Sequence, residues 1–177
     1  KGVQALILTP TRELAEQITV AMRTFSKYKD FKFLAIYGGV DMDNQVRRIP
    51  RSDVIIGTPG RILDHLERRT LDLSKVRFLV LDEVDRMLDM GFLRDVEKNV
   101  SKCPKNRQNF LFSATISRDI EHLIGKYTNN PEEISVESYV DHSKLKQVYY
   151  DVPSNLKFSL LVHLLKKENA DLVMVFS

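Results

Sequence analysis

The chain has 177 residues, and its 27 lysine and arginine residues against 24 aspartate and glutamate residues give a formal net charge of +3. Apolar residues make up 43% and charged residues 29%, a balance typical of globular domains that excludes wholesale disorder. The single cysteine, Cys103, excludes an internal disulfide framework and favours a reducing, cytoplasmic location. No apolar run approaches the ~20 residues that cross a bilayer, and no signal-peptide pattern is present, so we expect no membrane association.

Both ends of the sequence read as the interior of a longer chain. No initiator methionine precedes the apolar run at 3–8, and the apolar run at 171–176 is followed by one residue only. Because a buried strand is normally followed by at least a turn, we expect this sequence to be a piece of a longer protein.

Short apolar runs recur along the chain and predict strands. They are rich in Val, Ile, Leu and Phe without strict alternation, which is typical of parallel strands covered on both faces. In chain order the runs are 3–8, 33–37, 53–57, 76–81, 109–113, 133–137, 147–152 and 171–176.

Helical stripes lie between most of these runs, and the alternation predicts an α/β fold with a mostly parallel sheet. Pro10 and Pro59 each follow a strand and precede a stripe, as is typical of the first helical position. In chain order the stripes are Leu14, Ile18, Met22 and Phe25; Ile62, Leu63 and Leu66; Phe92, Val96 and Val100; Ile120, Leu123, Ile124 and Tyr127; and Leu156, Leu160, Leu161, Leu164 and Leu165.

The segment 138–146 is polar and lightly charged, and it is the most linker-like part of the chain. It separates a nearly complete α/β domain at 1–137 from a strand–helix–strand remnant at 147–177.

Five polar or glycine-bearing clusters come directly after predicted strands. In open parallel sheets, ligands bind at the carboxyl ends of the strands, so we expect all five clusters to share one edge. The clusters are Thr9-Pro10-Thr11-Arg12-Glu13, Gly38-Gly39, Thr58-Pro59-Gly60-Arg61, Asp82-Glu83-Val84-Asp85 and Ser113-Ala114-Thr115.

The acidic cluster is the sharpest chemical signal. Asp82 at a strand end is suited to hold Mg²⁺ beside a phosphate, and Glu83 is suited to deprotonate an attacking water. The alternative is that the acids only complement the dipole of a helix whose first turn they occupy.

The other clusters suit phosphates, although each also has a structural explanation. Thr58 to Arg61 and Thr9 to Glu13 combine backbone N–H groups at a helix start with a guanidinium, but the same patterns are typical of capped turns. Gly38 and Gly39 fit a close approach of ligand or an ordinary turn, and no G-x-G-x-x-G fingerprint occurs. Ser113 and Thr115 are expected near Asp85, within hydrogen-bond reach, or as helix caps.

The remaining charged groups favour simpler explanations. The basic clusters are interpreted as solvated faces, and the scattered histidines with one cysteine make no zinc set. These clusters are Arg47, Arg48 and Arg51; Arg68 and Arg69; and Lys102, Lys105 and Arg107.

Read in order, the five clusters resemble the motifs of the DEAD-box family of ATP-dependent RNA helicases. Five short motifs in the right order within about a hundred residues are a strong joint signal. The RNA-contacting motifs of the family are matched by residues 10–17, 38–39 and 58–61, the metal motif by 82–85 at three of four positions, and the motif that links ATP to unwinding by 113–115.

This resemblance implies a RecA-like domain 1, with residues 147–177 as the start of a second RecA-like domain. It implies that Asp82 holds Mg²⁺ and Glu83 activates water, while Asp85 contacts the hydroxyls of Ser113 and Thr115. The residues implied to bind phosphates of single-stranded RNA are Pro10, Thr11, Arg12, Gly38, Gly39, Thr58, Pro59, Gly60 and Arg61.

The sequence departs from the family pattern in two ways. Val84 stands where the metal motif has alanine, and no G-x-x-x-x-G-K-[ST] phosphate loop occurs in the chain. We therefore expect ATP hydrolysis and local RNA unwinding of the full-length parent and an inactive isolated chain. The alternatives are a naturally truncated RNA-binding or regulatory module without ATPase activity, and a DNA helicase.

Overall fold

The computed structural model describes residues 2–136, 146–168 and 171–176. The chain divides into two compact units, Lys1–Glu132 and Glu133–Ser177. None of the helices in these described residues is long and apolar enough to cross a membrane.

The first unit is built around a five-stranded parallel sheet with the strand order β2-β3-β1-β4-β5. This arrangement confirms the α/β expectation. The strands are β1 (Ala5–Leu8), β2 (Phe33–Ile36), β3 (Val54–Gly57), β4 (Phe78–Leu81) and β5 (Gln108–Leu111).

Within the described residues, six α-helices accompany the sheet and one more lies in the second unit. Single 3₁₀ turns at Ile49–Arg51 and Ser154–Leu156 precede β3 and α7. The helices are α1 (Arg12–Phe25), α2 (Met42–Arg48), α3 (Pro59–Glu67), α4 (Val84–Asp89), α5 (Leu93–Ser101), α6 (Arg118–Tyr127) and α7 (Lys157–Lys167).

The sheet is covered on both faces, which explains why its strands lack strict alternation. On one face, strand residues such as Leu6 and Ile55 pack with Ile62 of α3, Val96 of α5 and Ile120 of α6. The other face has a smaller cluster of five buried residues, which packs under α1. That cluster consists of Ile7, Ala15, Phe33, Val54 and Ile56, with Ile18 and Met22 of α1 packed against it.

Local capping sets where the first helices begin. Thr11 accepts a hydrogen bond from the Leu14 N–H at 3.2 Å, so α1 begins at Arg12 and Pro10 lies outside it. The expectation that Pro10 is the first helical residue is therefore wrong, because the Thr11 hydroxyl already satisfies the helix start. Pro59 does occupy the first helical position of α3, where its missing N–H costs nothing.

The structure corrects three of the predicted strands. The described residues of 133–137, 147–152 and 171–176 form no strand. An apolar run becomes a strand only when neighbouring strands complete its backbone hydrogen bonds, and none pairs with these segments within the described residues. Residue 137 and most of the predicted linker, 138–145, lie outside the described residues.

Gly57 lies where β2 and β3 approach most closely at the carboxyl edge. A Cβ built on Gly57 would stand 2.1 Å from the Ile36 carbonyl oxygen, far inside van der Waals contact. The Thr58 N–H donates to that same carbonyl at 3.0 Å, so the oxygen cannot move away without losing its bond. Glycine is therefore required at this position.

We expect Gly57→Ala to lower the free energy of unfolding by about 3 kcal/mol, because the added methyl group overlaps a fixed backbone atom. The matched control is Gly125→Ala in α6, where a Cβ meets nothing within 4 Å and the gain in helix propensity is up to about 1 kcal/mol. Urea unfolding of both variants measures the contrast. Equal stabilities would contradict the close approach.

Candidate active site

The carboxyl ends of the five strands lie level with one another. The pairing register aligns Leu8 with Gly57 on one side and with Leu81 on the other, and it aligns Leu81 with Leu111. Ile36 is aligned with Gly57 in turn. The five polar clusters that follow these residues therefore share one edge of the sheet, as the sequence predicts.

The strand order divides this edge into two halves. The clusters after β4 and β5, residues 82–85 and 113–115, lie side by side and supply the carboxylates and hydroxyls; we call them the acidic half. The clusters after β1, β3 and β2, residues 9–13, 58–61 and 38–39, supply the guanidinium groups and glycines, and we call them the basic half.

The backbone at Glu83 is strained. Glu83 has φ 49° and ψ 53°, in the left-handed region that non-glycine residues rarely adopt. Its N–H donates to Asp82 Oδ1 at 3.0 Å, its carbonyl accepts from the Met87 N–H at 3.0 Å, and the next N–H, of Val84, donates to the Phe112 carbonyl at 3.0 Å. Such strain persists where surrounding bonds enforce it and is frequent at functional sites.

Asp85 joins the segment after β4 to the segment after β5. One oxygen, Oδ2, accepts hydrogen bonds from the Ala114 N–H at 3.1 Å, the Thr115 N–H at 3.0 Å and the Thr115 hydroxyl at 3.1 Å. The Ser113 hydroxyl donates to the Thr115 carbonyl at 2.7 Å and accepts from the Asp85 N–H at 3.3 Å. Both hydroxyls thus contact Asp85, Thr115 through the carboxylate and Ser113 through the backbone.

The two aspartates have opposite pKa shifts. Burial raises the pKa of Asp82, and the nearby Glu83 charge adds to this, against the lowering effect of the hydrogen bond from the Glu83 N–H. Burial also acts to raise the pKa of Asp85, but hydrogen bonds from the Arg86 N–H, from Thr115 and from Ser113 outweigh it, so the pKa of Asp85 is lowered. Asp85 is therefore held as an anion more firmly than Asp82.

An open cavity of about 410 Å³ lies against these acids. Glu83 faces it and is paired with Arg86, whose Nη1 lies 3.3 Å from Glu83 Oε2. The side chains that line the cavity come from the segments after β4 and β5: Asp82, Glu83, Asp85, Arg86, Asp89, Phe112, Ser113 and Ala114.

The other half of the edge presents one exposed cation, Arg12, one half-buried cation, Arg61, and open backbone. Arg61 is positioned by the loop after β2, since its Nη2 donates to the Val40 carbonyl at 3.0 Å. In the same loop Gly39 has φ +82°, a conformation that favours glycine, and a Cβ at Gly38 or Gly39 would meet nothing within 4 Å. The Arg12 side chain is exposed and pairs with Glu13.

A family model described as DEAD/DEAH box helicase matches residues 1–123. The chain belongs to this family. A probable ATP-dependent RNA helicase of Methanocaldococcus jannaschii is 41% identical over 167 residues, which cover 94% of this chain and 45% of the relative. The DEAD-box ATP-dependent RNA helicase CshA of Bacillus subtilis is 39% identical over 177 residues, covering 99% of this chain and 36% of the relative.

Solved structures agree with the RecA-like, DEAD-box fold expected from the sequence. The crystal structure of a DEAD box protein from the hyperthermophile Methanococcus jannaschii superposes with a TM-score of 0.76 at 41% identity, covering 94% of this chain and 45% of that protein. A hypothetical ATP-dependent RNA helicase from Sulfolobus tokodaii gives a TM-score of 0.70 at 36% identity, over 74% of this chain and 40% of that protein. This DEAD-box chain thus spans less than half the length of these relatives.

Sequence reasoning missed a buried polar network behind the basic half of the DEAD-box edge. His65 Nε2 lies 2.8 Å from Gln45 Oε1, and its Nδ1 lies 2.8 Å from the Thr70 hydroxyl. Gln45 Nε2 donates to the Tyr37 carbonyl at 3.1 Å, directly before the two glycines. Burial and the nearby Arg61 charge lower the pKa of His65, which favours the neutral ring. In the sequence, Gln45 and His65 lie at helical spacing from apolar residues, which indicates that they are buried but not that they bond to each other.

The acids of this DEAD-box chain suit a divalent cation that is held mainly by other ligands. Among the described residues no group of three or more His, Cys, Asp or Glu side chains could hold a metal ion alone. Asp82 is partly buried, and the ion pairs of the described residues give it no cationic partner. Mg²⁺ is typically bound by one or two carboxylates together with phosphates and water, so the donor set fits that ion.

We expect Asp82→Asn to be more stable than the wild type at neutral pH, because the amide keeps an acceptor for the Glu83 N–H and removes a partly buried charge. A raised pKa in the folded state means that wild-type stability falls as the pH rises from the unfolded pKa, about 4, through the folded pKa. The difference should therefore shrink in acid. Thermal unfolding against pH measures it, with Asp89→Asn on the exposed end of α4 as a control that should change little. A variant less stable than the wild type at neutral pH would contradict the argument.

Proposed function

We propose that this chain is part of the core of an ATP-dependent RNA helicase that hydrolyses ATP and unwinds RNA duplexes locally. The carrying observation is the single sheet edge on which the strained Asp82-Glu83 segment, the Asp85–Thr115 network and the basic half all lie. Membership of the DEAD-box family and the names of its relatives support the same proposal. A cytoplasmic location fits this function.

Asp82 and Glu83 would carry the chemistry of the nucleotide. Asp82 would hold Mg²⁺, chiefly through water, and the bound ion would neutralise charge on the phosphates of ATP. Glu83 would orient the attacking water and accept its proton, for which its carboxylate must be free to face the cavity. The left-handed residue Glu83 separates β4 from α4, and both carboxylates line the cavity.

Asp85, Ser113 and Thr115 would couple the nucleotide site to domain closure. Asp85 lies two residues after Glu83, and its Oδ2 fixes the position of the segment after β5 through three donors. A movement of the acids on ATP binding would thereby reach residues 113–115. The family's second RecA-like domain, of which we propose that residues 147–177 are the start, would respond to that movement.

The basic half of the edge would bind the phosphates of one RNA strand. The start of α3 offers the Thr58 hydroxyl and the backbone of Gly60 and Arg61, and the start of α1 offers Thr11 and Arg12, in each case at the positive end of a helix dipole. The close approach of RNA would be assisted by the two glycines after β2, Gly38 and Gly39, by Pro10 after β1, and by Pro59 at the first position of α3. Contacts of this kind position the strand without reading its sequence.

The phosphate loop that the family uses to hold ATP would come from chain outside these 177 residues. The described sheet ends at β5, where Phe110 and Phe112 are exposed. An unpaired edge with exposed aromatic residues is suited to accept a further strand. We therefore expect the isolated chain to bind ATP weakly and not to hydrolyse it.

We expect Glu83→Gln in the full-length protein to lower RNA-stimulated ATP turnover by at least about 100-fold while ATP binding is retained, because only the proton acceptor is lost. Steady-state phosphate release and nucleotide titration measure the two properties. Glu121→Gln, an exposed acid in the first turn of α6, is the matched control and should leave turnover unchanged. Full turnover in Glu83→Gln would refute the catalytic role, and stimulation by DNA equal to that by RNA would favour a DNA helicase.

We expect Arg61→Ala to weaken RNA binding and to reduce the slope of log K against log salt by about one unit, because one phosphate contact is removed. Arg68→Ala is the control directly after the same helix, since Arg68 is exposed and paired with Asp64. Fluorescence anisotropy of a labelled RNA over a salt series measures both. An unchanged slope and affinity in Arg61→Ala would limit Arg61 to its contacts with Val40 and Met42.

A further inference from the structure

A second exposed surface lies at the opposite edge of the sheet, where α1 ends and β2 begins. We call residues 23–32 the amino-edge patch, because they lead into the amino end of β2. Three large rings in it are exposed to solvent: Phe25 by 81%, Tyr28 by 89% and Phe31 by 54%. Large aromatic side chains at such exposure within seven residues are unusual on a surface with no binding role.

The same ten residues concentrate positive charge. Arg23, Lys27, Lys29 and Lys32 are all exposed, and Asp30 is the single acid among them. The resulting net charge of +3 equals the net charge of the whole chain. Cations alternate with rings along the segment, and Lys27 Nζ lies 5.8 Å from the centre of the Tyr28 ring.

Backbone hydrogen bonds hold the amino-edge patch in a defined turn. The Ser26 N–H donates to Met22 at 3.0 Å, the Lys29 N–H to Ser26 at 2.8 Å and the Phe31 N–H to Lys29 at 2.9 Å. The Phe31 ring packs edge-on against Phe33, whose side chain is buried, with 6.4 Å between the ring centres. The rings are therefore presented by a fixed backbone, so little ordering entropy opposes binding.

The segment that leads into β3 extends the positive surface. The Lys32 N–H donates to Asp53 Oδ2 at 2.9 Å, and the Asp53 N–H donates back to the Lys32 carbonyl at 2.9 Å. Arg51 is exposed and lies two residues before Asp53, and Arg48, the last residue of α2, is also exposed. The acids that face the patch are Asp30, which pairs with Lys32, and Asp53, which is bonded to backbone.

We propose that the amino-edge patch is a second binding surface for single-stranded RNA, separate from the edge that carries the candidate active site. Bases stack on exposed rings irrespective of their identity, while lysine and arginine attract the phosphates between them. An acidic polypeptide would satisfy the cations but would leave the three rings without stacking partners. The choice of RNA as the ligand rests on the proposed function. Binding at the amino-edge patch should not require ATP, because the patch is separate from the candidate active site.

The test is RNA binding by the full-length protein without nucleotide, with a fluorescent oligouridine as the probe. Phe25→Ala combined with Tyr28→Ala should raise the Kd about fivefold or more, because each stacked base contributes substantially to affinity. These side chains are exposed, so the variant should retain the wild-type melting temperature. The matched control is Phe158→Ala, an exposed phenylalanine of α7 that should leave the Kd unchanged.

Photocrosslinking locates the contact directly. An oligouridine that carries 4-thiouridine should crosslink to peptides containing residues 23–32, and the crosslink should disappear in the Phe25 and Tyr28 double variant. Arg61→Ala should leave this crosslink in place, which separates the amino-edge patch from the proposed active-site edge. Binding of polyglutamate that competes fully with the RNA, an unchanged Kd in the double variant, or crosslinks confined to the active-site edge would overturn the proposal.

Discussion

The level register of the five parallel strands is the constraint on which the candidate active site depends. Each strand ends at the same height, so residues as far apart in sequence as Leu8 and Leu81 become neighbours at one edge. A slip of one residue between β4 and β5 would move Thr115 away from Asp85 and turn the side chains of β5 to the opposite face of the sheet. The close approach at Gly57, which admits no side chain, holds β2 against β3 in the same alignment.

In the acidic half, the strained backbone at Glu83 is held by the residues on either side of it. Glu83 adopts a left-handed conformation between Asp82, which accepts its N–H, and Val84, which is fully buried in the larger core cluster. The additional methyl groups of Val84, relative to the alanine of the family motif, are accommodated within that core while its N–H still reaches the Phe112 carbonyl. The valine at this position is therefore compatible with the hydrogen bond to Phe112, and the three acids of the motif are present.

The sequence predicts the sheet well because buried parallel strands are continuous apolar runs bounded by polar clusters. It predicts which clusters share an edge because the carboxyl ends of parallel strands all lie on the same side of the sheet. The sequence does not show which apolar runs pair with a neighbouring strand. The runs at 147–152 and 171–176 form no strand in the described structure. The bond between Gln45 and His65, and the exposure of Phe25 and Tyr28, depend on how helices pack and lie beyond any local pattern.

The hydrogen bonds at Asp85 are expected to break together when the segment after β5 moves, instead of lengthening one by one. Three donors from Ala114 and Thr115 converge on one oxygen atom, so they share a single geometric condition. Hydrogen bonds weaken steeply once donor and acceptor separate or tilt, and a displacement of about an ångström would release all three together. Residues 113–115 are consequently either bonded to Asp85 or released from it, and positions between these two have little stability.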